Sequence, residues 1–230
     1  MSPTLSVVIP VRNEAQALPL LLADLAALRA AGAELIVVDG GSHDATCALA
    51  HGQVDHLLQA EPGRAAQMNA GAAQARGDYL WFVHADTRVS AEALTALQAV
   101  LAAQPLWGRF DVRLSGTGLA FKLIGAMISL RSRLTGIASG DQGIFVRRKD
   151  FEAMAGYAPI PLMEDLHLCR RLKRQARPYC IRMPLSTSSR RWEQNGIWRT
   201  VVLMWCLRLA YYAGTDPATL ARYYRRGSLL

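Results

Sequence analysis

The sequence has only four cysteines among its 230 residues, and no two of them form a Cys-x-x-Cys pair. Paired cysteines at that spacing mark structural zinc sites and dithiol redox motifs, so neither kind of site is expected. The cysteines are instead predicted to be reduced residues of the core or of helices, at positions Cys47, Cys169, Cys180 and Cys206.

The chain also lacks Pro/Gly/Ser-rich blocks, runs of like charge and repeats at a fixed period. These absences exclude a disordered, low-complexity or repeat protein. With 51% hydrophobic and 19% charged residues, the composition predicts one folded domain over residues 1–230. The opening stretch "MSPTLSVVIP" has no basic segment, long apolar core or cleavage site of a signal peptide, so we expect a cytoplasmic protein.

Acidic residues are fewer than basic ones, 18 against 26, which gives a net charge of +8. Such a balance suits a partner of opposite sign, which could be nucleic acid, an anionic membrane surface or a phosphorylated substrate. A basic surface that only maintains solubility is the plain alternative. No RNA-reading aromatic motif and no helix-turn-helix pattern occurs, so no nucleic-acid partner is expected.

The glycine-rich phosphate loops of common nucleotide enzymes are missing as well. No GxxxxGK[ST] occurs, and "VDGGSHDAT" has adjacent glycines without the GxGxxG spacing. A dinucleotide enzyme and a P-loop protein are therefore disfavoured. A phosphorylated ligand would need another partner, and a divalent cation held by carboxylate oxygens suits this role.

What the sequence does contain is an alternation of apolar runs and helical stretches. Strand-like runs occur at residues 5–10, 34–39, 55–60 and from 79 onward. Helical stretches occur at residues 15–30, after Asp44, near 64–76, and after Ser90 as the expected N-cap. Continuous Val/Ile/Leu runs between helices predict parallel strands covered on both faces, in an α/β fold.

Polar residues follow three of these strands where each one ends. Asn13 and Glu14 come after the first strand, Asp39 ends the second, and His84 and Asp86 follow "YLWFV". Because ligands bind beyond the carboxyl ends of such strands, these side chains are candidates for a binding site. Capping of the next helix is the alternative, and it is the favoured interpretation only for Asp44.

Five segments together carry a resemblance to a known family: "SVVIPVRNEAQALPLLLADL", "ELIVVDGGSHDAT", "GRAAQMNAGAAQARGDYLWFVHADT", "GDQGIFVRR" and "MEDLHLCRRL". In this order they resemble the family 2 glycosyltransferases of the GT-A fold, over about residues 4–192. The resemblance implies an inverting enzyme that takes a sugar from a nucleotide diphosphate donor with Mg²⁺ or Mn²⁺. It names no acceptor, which could be a saccharide, a lipid or a small molecule.

The resemblance also divides the chain and assigns residues. It implies a nucleotide- and metal-binding half at about 1–115, an acceptor half at about 116–192 and a C-terminal helical segment at 193–230. Asp86 falls on the last acid of the family's Asp-x-Asp motif and would bind the metal. Asn69 would hold its helix against the metal-site loop. The nucleotide would be bound by residues Pro10, Asn13, Glu14, Asp39, Arg64, Asn69 and His84.

The sequence departs from the family at two positions. His84 stands where the family has the first Asp of the metal motif, so a neutral imidazole replaces a negative charge and weaker metal binding is expected. A histidine that simply packs at the strand end is the alternative. Ser188 stands where processive members have the Gln of Gln-x-x-Arg-Trp, which argues against a polymerase. Arg191 could still neutralise the leaving diphosphate, and Trp192 could contact a sugar or lipid.

The acceptor side of the reaction needs a base that removes the proton of the attacking hydroxyl. Glu164 and Asp165 match the family's Glu-Asp motif at a helix start, with Asp165 as the base. Acids also favour helix N-termini for electrostatic reasons, which is the alternative for both. Upstream, the loop with Gly140, Asp141 and Gln142 is predicted to contact a sugar, with a plain turn as the alternative.

Two helical stretches, residues 118–137 and 196–214, are rich in apolar and aromatic side chains but are interrupted by basic residues. A spanning helix needs about 20 mostly apolar residues, so neither is expected to cross a bilayer. Such helices suit an anionic membrane surface, and packing on the sheet is the alternative.

Two further hypotheses for the function of the protein stay open: a non-catalytic membrane or nucleic-acid binding module on a decayed transferase fold, and a nucleotidyltransferase.

Overall fold

The computed structural model describes residues 3–227 and contains one eight-stranded sheet in this part of the chain, with the order β3-β2-β1-β4-β7-β6-β8-β5. The strands are β1 (Leu5–Val11), β2 (Glu34–Asp39), β3 (His56–Gln59), β4 (Tyr79–Phe82), β5 (Thr87–Arg88), β6 (Trp107–Leu114), β7 (Phe145–Arg147) and β8 (Tyr179–Thr187). The helices are α1 (Leu18–Ala30), α2 (Thr46–Ala50), α3 (Arg64–Gln74), α4 (Ala91–Ala102), α5 (Leu119–Thr135), α6 (Arg148–Ala153), α7 (Glu164–Gln175), α8 (Arg190–Asn195), α9 (Ile197–Tyr212) and α10 (Pro217–Arg226). A one-turn 3₁₀ helix covers Gly140–Gln142.

The first half of the sheet is parallel, as the apolar runs predict. Strand β1 pairs with β2 on one side and with β4 on the other, and β2 pairs with β3, all in parallel. Every residue of β1 is buried. Val7 and Ile9 pack in one core with α1 and α4, whereas Val8 packs in a second core with α3. The alternation of side chains along the strand thus buries both faces of the sheet.

Local sequence signals set the ends of several elements. The Ser90 side chain accepts a hydrogen bond from the Ala93 N–H, which confirms Ser90 as the N-cap of α4. Helix α1 begins at Leu18, three residues later than expected, because Glu14 to Ala17 form a turn. The first strand runs one residue further than expected, to Val11. All four cysteines are free, as predicted.

The second half of the sheet changes direction. Strand β7 is antiparallel to both β4 and β6, and β6 is parallel to β8. Helix α5 packs on β6, while α9 and α10 contribute buried leucines to the core that also contains α7. No helix in residues 3–227 is long and apolar enough to span a membrane.

Candidate active site

A cleft of about 530 Å³ opens beyond the carboxyl ends of the parallel strands. The segments that line it follow β1, precede α3, follow β4 and begin α7, and helices α5 and α9 form part of its wall. The predicted site residues that line it are Pro10, Glu14, Arg64, His84, Asp86, Asp141, Glu164, Asp165, Arg191 and Trp192. The sheet topology therefore brings residues from separate segments of the chain to one site.

Asp39 lies at the end of β2 but does not line the cleft. Its carboxylate accepts hydrogen bonds from Gly41 N at 3.1 Å and from Ser42 N at 3.0 Å. Burial works against the charged form, yet the hydrogen bonds from Ser42 and Gly41 outweigh it and lower the pKa of Asp39. Asn13 also lies outside the cleft, where its Oδ1 accepts from His43 N at 2.8 Å. Both side chains shape the loop after β2.

Gln67 is a cleft residue that no sequence motif indicates. It is buried on α3, and its Nε2 donates to Val11 O and Val38 O, both at 2.8 Å. The side chain therefore ties the start of α3 to the ends of β1 and β2. Gly40 must lack a side chain here, because a Cβ would lie 2.9 Å from the Gln67 amide carbon. In the sequence, the only signal for this role of Gln67 was a polar residue on an otherwise apolar face of the predicted helix.

The structure places Asn69 outside the cleft. Its Nδ2 donates to Tyr157 O and its Oδ1 accepts from Tyr157 N, each at 2.9 Å. Asn69 thus fastens α3 to the loop before α7. From the sequence, it was expected to fasten α3 to the metal-site loop. Both ends of the amide are used in this way, and the nucleotide contact assigned to Asn69 has no support in the geometry.

His84 is buried at the end of β4, and its Nδ1 lies 3.2 Å from Asp141 Oδ1. The Asp141 side chain is 46% exposed; partial desolvation in the cleft raises its pKa, but the hydrogen bond and charge of His84 and the charge of Arg64 outweigh this effect and lower the pKa. A Cβ on Gly140 would approach His84 Cε1 to 2.6 Å, so the close contact requires glycine. Gly140 N in turn donates to Asp165 Oδ2 at 2.7 Å.

Gln142 does not line the cleft, although the sequence predicts that it contacts a sugar. The side chain is fully buried, and its Nε2 donates to Phe110 O at 3.1 Å and to Ser132 Oγ at 2.8 Å. Its Oε1 accepts from Ser139 N at 3.2 Å. Gln142 therefore holds the 3₁₀ turn from behind, while Asp141 faces the cleft.

Asp86 follows β4 and presents a half-buried carboxylate to the cleft. Within residues 3–227 this carboxylate accepts no hydrogen bond and forms no ion pair. Nearby Glu14 has a raised pKa, first because of burial and then because of the negative charge of Asp86. A carboxylate without a partner beside a second one is a suitable ligand for a divalent cation.

The part of the chain that the structure describes has no group of three or more His, Cys, Asp or Glu side chains placed to hold a metal ion. Mg²⁺ and Mn²⁺ are commonly held by one or two carboxylates, with substrate phosphates and water completing the shell. Asp86 fits this mode of binding, in which the protein supplies few of the ligands.

Glu164 and Asp165 begin α7, directly after Met163, whose backbone is left-handed with φ of 69°. Glu164 is buried, and burial together with the charge of Asp165 raises the pKa of Glu164. Asp165 is only half-buried and lies on the cleft. Both acids line the cleft, and Asp165 is the more exposed of the two.

Arg191 and Trp192 lie on α8 at the cleft. The Arg191 guanidinium stacks on the ring of Tyr224, 3.5 Å from its centroid, and donates to Tyr224 O at 2.8 Å. Arg191 therefore fastens α10 to α8, in addition to facing the cleft. Trp192 packs against a small apolar cluster that includes Phe121 and Ile124.

Arg131 from α5 and Arg208 from α9 also line the cleft. The sequence patterns assigned them to helices on a membrane surface, as charges that interrupt apolar stretches. Their place in the cleft could not be seen from spacing alone, because it depends on how α5 and α9 pack on the rest of the chain.

Comparison with known proteins agrees with this fold. The chain shares its fold with S. aureus TarS bound to UDP, at 18% identity and a TM-score of 0.66, over 80% of this chain and 60% of that one. It also matches a mannosyltransferase from Pyrobaculum calidifontis in complex with GDP-Man and Mn²⁺, at 19% identity and a TM-score of 0.64, over 96% of this chain and 69% of that one. The predicted α/β GT-A fold is confirmed.

Sequence comparison gives the family. An uncharacterized glycosyltransferase of Mycobacterium tuberculosis is 38% identical over 125 residues, which is 50% of this chain and 48% of that protein. The chain thus matches about half the length of this curated relative. The model of the family described as Glycosyl transferase family 2 matches residues 6–154. The match covers β1 to α6 and half of the residues that line the cleft, and it shows that the chain belongs to glycosyl transferase family 2.

Proposed function

We propose that this protein transfers a sugar from a nucleoside diphosphate donor to an acceptor hydroxyl, with inversion at the anomeric carbon. The observation that carries the proposal is that Asp86, which follows β4, and Asp165, which lies in the first turn of α7, line one cleft beyond the carboxyl ends of the strands. A metal ligand for the diphosphate and a base for the acceptor are the two groups that this reaction requires.

The donor would bind on the side of the cleft formed by β1 and α3. Pro10 and Glu14 form part of this wall, and Arg64 begins α3. Arg64 is exposed at the cleft; desolvation by the nearby protein atoms lowers its pKa, but the surrounding acidic groups outweigh this effect and raise it, so the guanidinium stays charged. Solved structures with the same fold hold UDP, UDP-GlcNAc and GDP-Man, which supports a nucleotide sugar as the donor class.

A divalent metal, Mg²⁺ or Mn²⁺, would be held by Asp86. When bound, it would neutralise charge that develops on the leaving diphosphate. The support is the free carboxylate of Asp86 and the Mn²⁺ complex of the Pyrobaculum calidifontis enzyme. Arg64 and Arg191 add fixed positive charge to the same cleft.

Asp165 would act as the base. Its carboxylate takes the proton of the acceptor hydroxyl as the oxygen attacks the anomeric carbon on the side opposite the diphosphate. The new glycosidic C–O bond forms while the bond between the anomeric carbon and the diphosphate oxygen breaks. The electron pair of the broken bond leaves with the nucleoside diphosphate. The hydrogen bond from Gly140 N fixes the orientation of the carboxylate, and each oxygen keeps lone pairs free to accept a proton.

The test of donor use is calorimetry with UDP, GDP and their sugar conjugates, with and without Mn²⁺. We expect tight binding of one nucleotide series only in the presence of the metal, followed by release of nucleoside diphosphate when an acceptor is added. Nucleotide binding without any turnover over a broad acceptor panel would favour the non-catalytic module. Absence of nucleotide binding would refute the proposal.

We also propose that α5 and α9 rest on an anionic membrane surface. Large apolar side chains are exposed at helical spacing on both helices, namely Leu119, Leu123, Met127, Leu130 and Leu134 on α5, and Trp198, Val202, Trp205, Leu209 and Tyr212 on α9. Exposed Lys122 and Arg199 lie on the same helices. Apolar stripes flanked by basic residues are typical of helices that lie in the membrane interface.

The membrane proposal is tested by sedimentation with vesicles that contain phosphatidylglycerol. We expect salt-sensitive binding that is lost in the double variant Trp198→Ser, Leu209→Ser. Leu20→Ser serves as the matched control, because Leu20 is an exposed leucine on α1. A wild-type protein that stays in the supernatant at low salt, or an equal loss of binding in the control, would refute the membrane proposal.

A further inference from the structure

Arg131 and Arg208 bring two guanidinium groups to the cleft with unused donors. Arg131 Nη1 donates to Ile137 O at 3.1 Å. Its Nε and Nη2 are buried and, within residues 3–227, have no hydrogen-bond partner, and the same holds for Arg208 Nε. Buried donors of charged groups are normally paired, so these three atoms lack an acceptor that a ligand could supply.

The two arginines repel each other as well. Burial, followed by the positive charge of Arg208, lowers the pKa of Arg131 to about 10. Two like charges held together in a cleft wall are stabilised by an anion that contacts both. An oxyanion such as a phosphate group offers several acceptors in the geometry that a guanidinium recognises.

The neighbouring walls of the cleft are apolar. They consist of Ile124, Met127 and Ile128 from α5 and of Val201, Met204 and Trp205 from α9. Met127 and Trp205 line the cleft and are also about half exposed, at 48% and 49%. The apolar wall therefore continues from the arginines to the outer surface of the two helices.

We propose that Arg131 and Arg208 form the anion subsite of the acceptor, and that the acceptor is an amphiphile with a phosphate group. The phosphate contacts the two arginines, and a hydrocarbon chain follows the apolar wall between α5 and α9. This inference rests on the proposed function, because it assigns the ligand to the acceptor side. The assignment follows from position: Arg131 Nη1 donates to Ile137 O, and three residues later Gly140 N donates to Asp165 Oδ2, so one short segment contacts both Arg131 and the proposed base.

The test uses octyl phosphate as the probe on the full chain, with glycerol phosphate and octanol as partial analogues. Binding is measured by calorimetry in the absence of nucleotide. We expect octyl phosphate to bind more tightly than either analogue. Arg208→Gln and Arg131→Lys should each weaken its binding about tenfold or more, the change expected when a charge-assisted hydrogen bond is lost. Arg199→Gln is the matched control, since Arg199 is exposed on α9 and does not line the cleft.

The outcomes separate the possible ligands. Failure of octyl phosphate to bind, or equal weakening by Arg199→Gln, overturns the subsite. Equal affinity for glycerol phosphate and octyl phosphate overturns the hydrocarbon chain and points to a free phosphorylated acceptor. If Arg208→Gln weakens the binding of nucleoside diphosphate with Mn²⁺ as much as that of octyl phosphate, the arginines belong to the donor site. Intact nucleotide binding without octyl phosphate binding refutes this inference alone, whereas loss of both in the wild type refutes the proposed function.

Discussion

Asp165→Asn separates catalysis from folding and donor binding. The substitution keeps the shape of the side chain but replaces a carboxylate, which can take a proton, by an amide, which cannot. In the native chain Asp165 Oδ2 accepts from Gly140 N and Oδ1 accepts from Leu166 N, both at 2.7 Å. The amide has only one oxygen, so one of these backbone donors would face an NH₂ group.

The cost to stability is expected to be small. Leaving a buried donor unsatisfied costs about 1–3 kcal/mol, and Asp165 is half-exposed, so water can replace part of the lost bond. We expect a loss near the lower end, about 1 kcal/mol, against a total stability of about 5–15 kcal/mol for a typical domain. The folded fraction therefore stays close to one, and a change in rate reports chemistry.

The expected loss in rate is much larger. A general base contributes about 10²–10⁴-fold, which corresponds to about 2.7–5.4 kcal/mol in the activation free energy. The assay is single-turnover transfer at saturating donor, with donor affinity measured separately by calorimetry. Donor affinity should stay near the wild-type value, because Asp165 acts on the acceptor.

Glu164→Gln is the control for this experiment. Glutamine keeps the size and most of the hydrogen-bonding capacity of the buried Glu164 side chain but cannot take a proton, so this variant should preserve most of the activity if Asp165 is the base. Transfer by Asp165→Asn at near the wild-type rate would refute the assignment of the base. If Glu164→Gln instead abolished transfer, the base would be Glu164.

Four positions give further predictions. Asp86→Ala should remove the Mn²⁺-dependent part of nucleotide binding in calorimetry without lowering the melting temperature, and unchanged metal dependence would exclude Asp86 as the ligand. The folded pKa of Glu164 lies above its ordinary value of 4.5, so the contribution of Glu164 to stability is fully present below that pH and is lost as the pH rises through the folded pKa; Glu164→Gln should remove this contribution from a series of melting curves, and an unchanged slope would contradict the reasoning. Gly140→Ala would bring a Cβ to 2.6 Å from His84 Cε1, so turnover should fall more than donor affinity, and unchanged kinetics would show that the turn adapts. His84→Asp sets a second carboxylate against Asp141, so Mn²⁺ should raise its melting temperature more than that of His84→Asn, and equal shifts would contradict this.

The fold was predictable where local sequence carries the information. Continuous apolar runs identify β1 and β2, since a parallel strand that is covered on both faces needs apolar residues at every position. The place of β7 between β4 and β6 was not predictable in this way. Strand β7 has three residues, and its antiparallel pairing joins segments that are far apart in the sequence.

A residue that lines the cleft was predictable where it directly follows a strand or begins a helix. Asp86 and Asp165 follow this rule, because the direction of the backbone at these points is set by the sheet. Asn69 and Gln142 do not follow it. Their motifs give the right segment, but the direction of each amide depends on partners elsewhere in the chain, Tyr157 for Asn69 and Phe110 for Gln142.

His84 shows why a departure from a family motif does not by itself remove a charge from a site. The sequence replaces the first acid of the motif by an imidazole, and weaker metal binding was expected from the loss of a carboxylate. In the folded chain the carboxylate of Asp141, which is 57 residues away in sequence, lies 3.2 Å from that imidazole. Desolvation in the cleft raises the pKa of Asp141, but the hydrogen bond and charge of His84 and the charge of Arg64 outweigh it, so that this pKa lies below its ordinary value. A carboxylate is therefore present beside the position that the motif leaves without one, and it is contributed by the 3₁₀ turn after α5 instead of by the segment after β4.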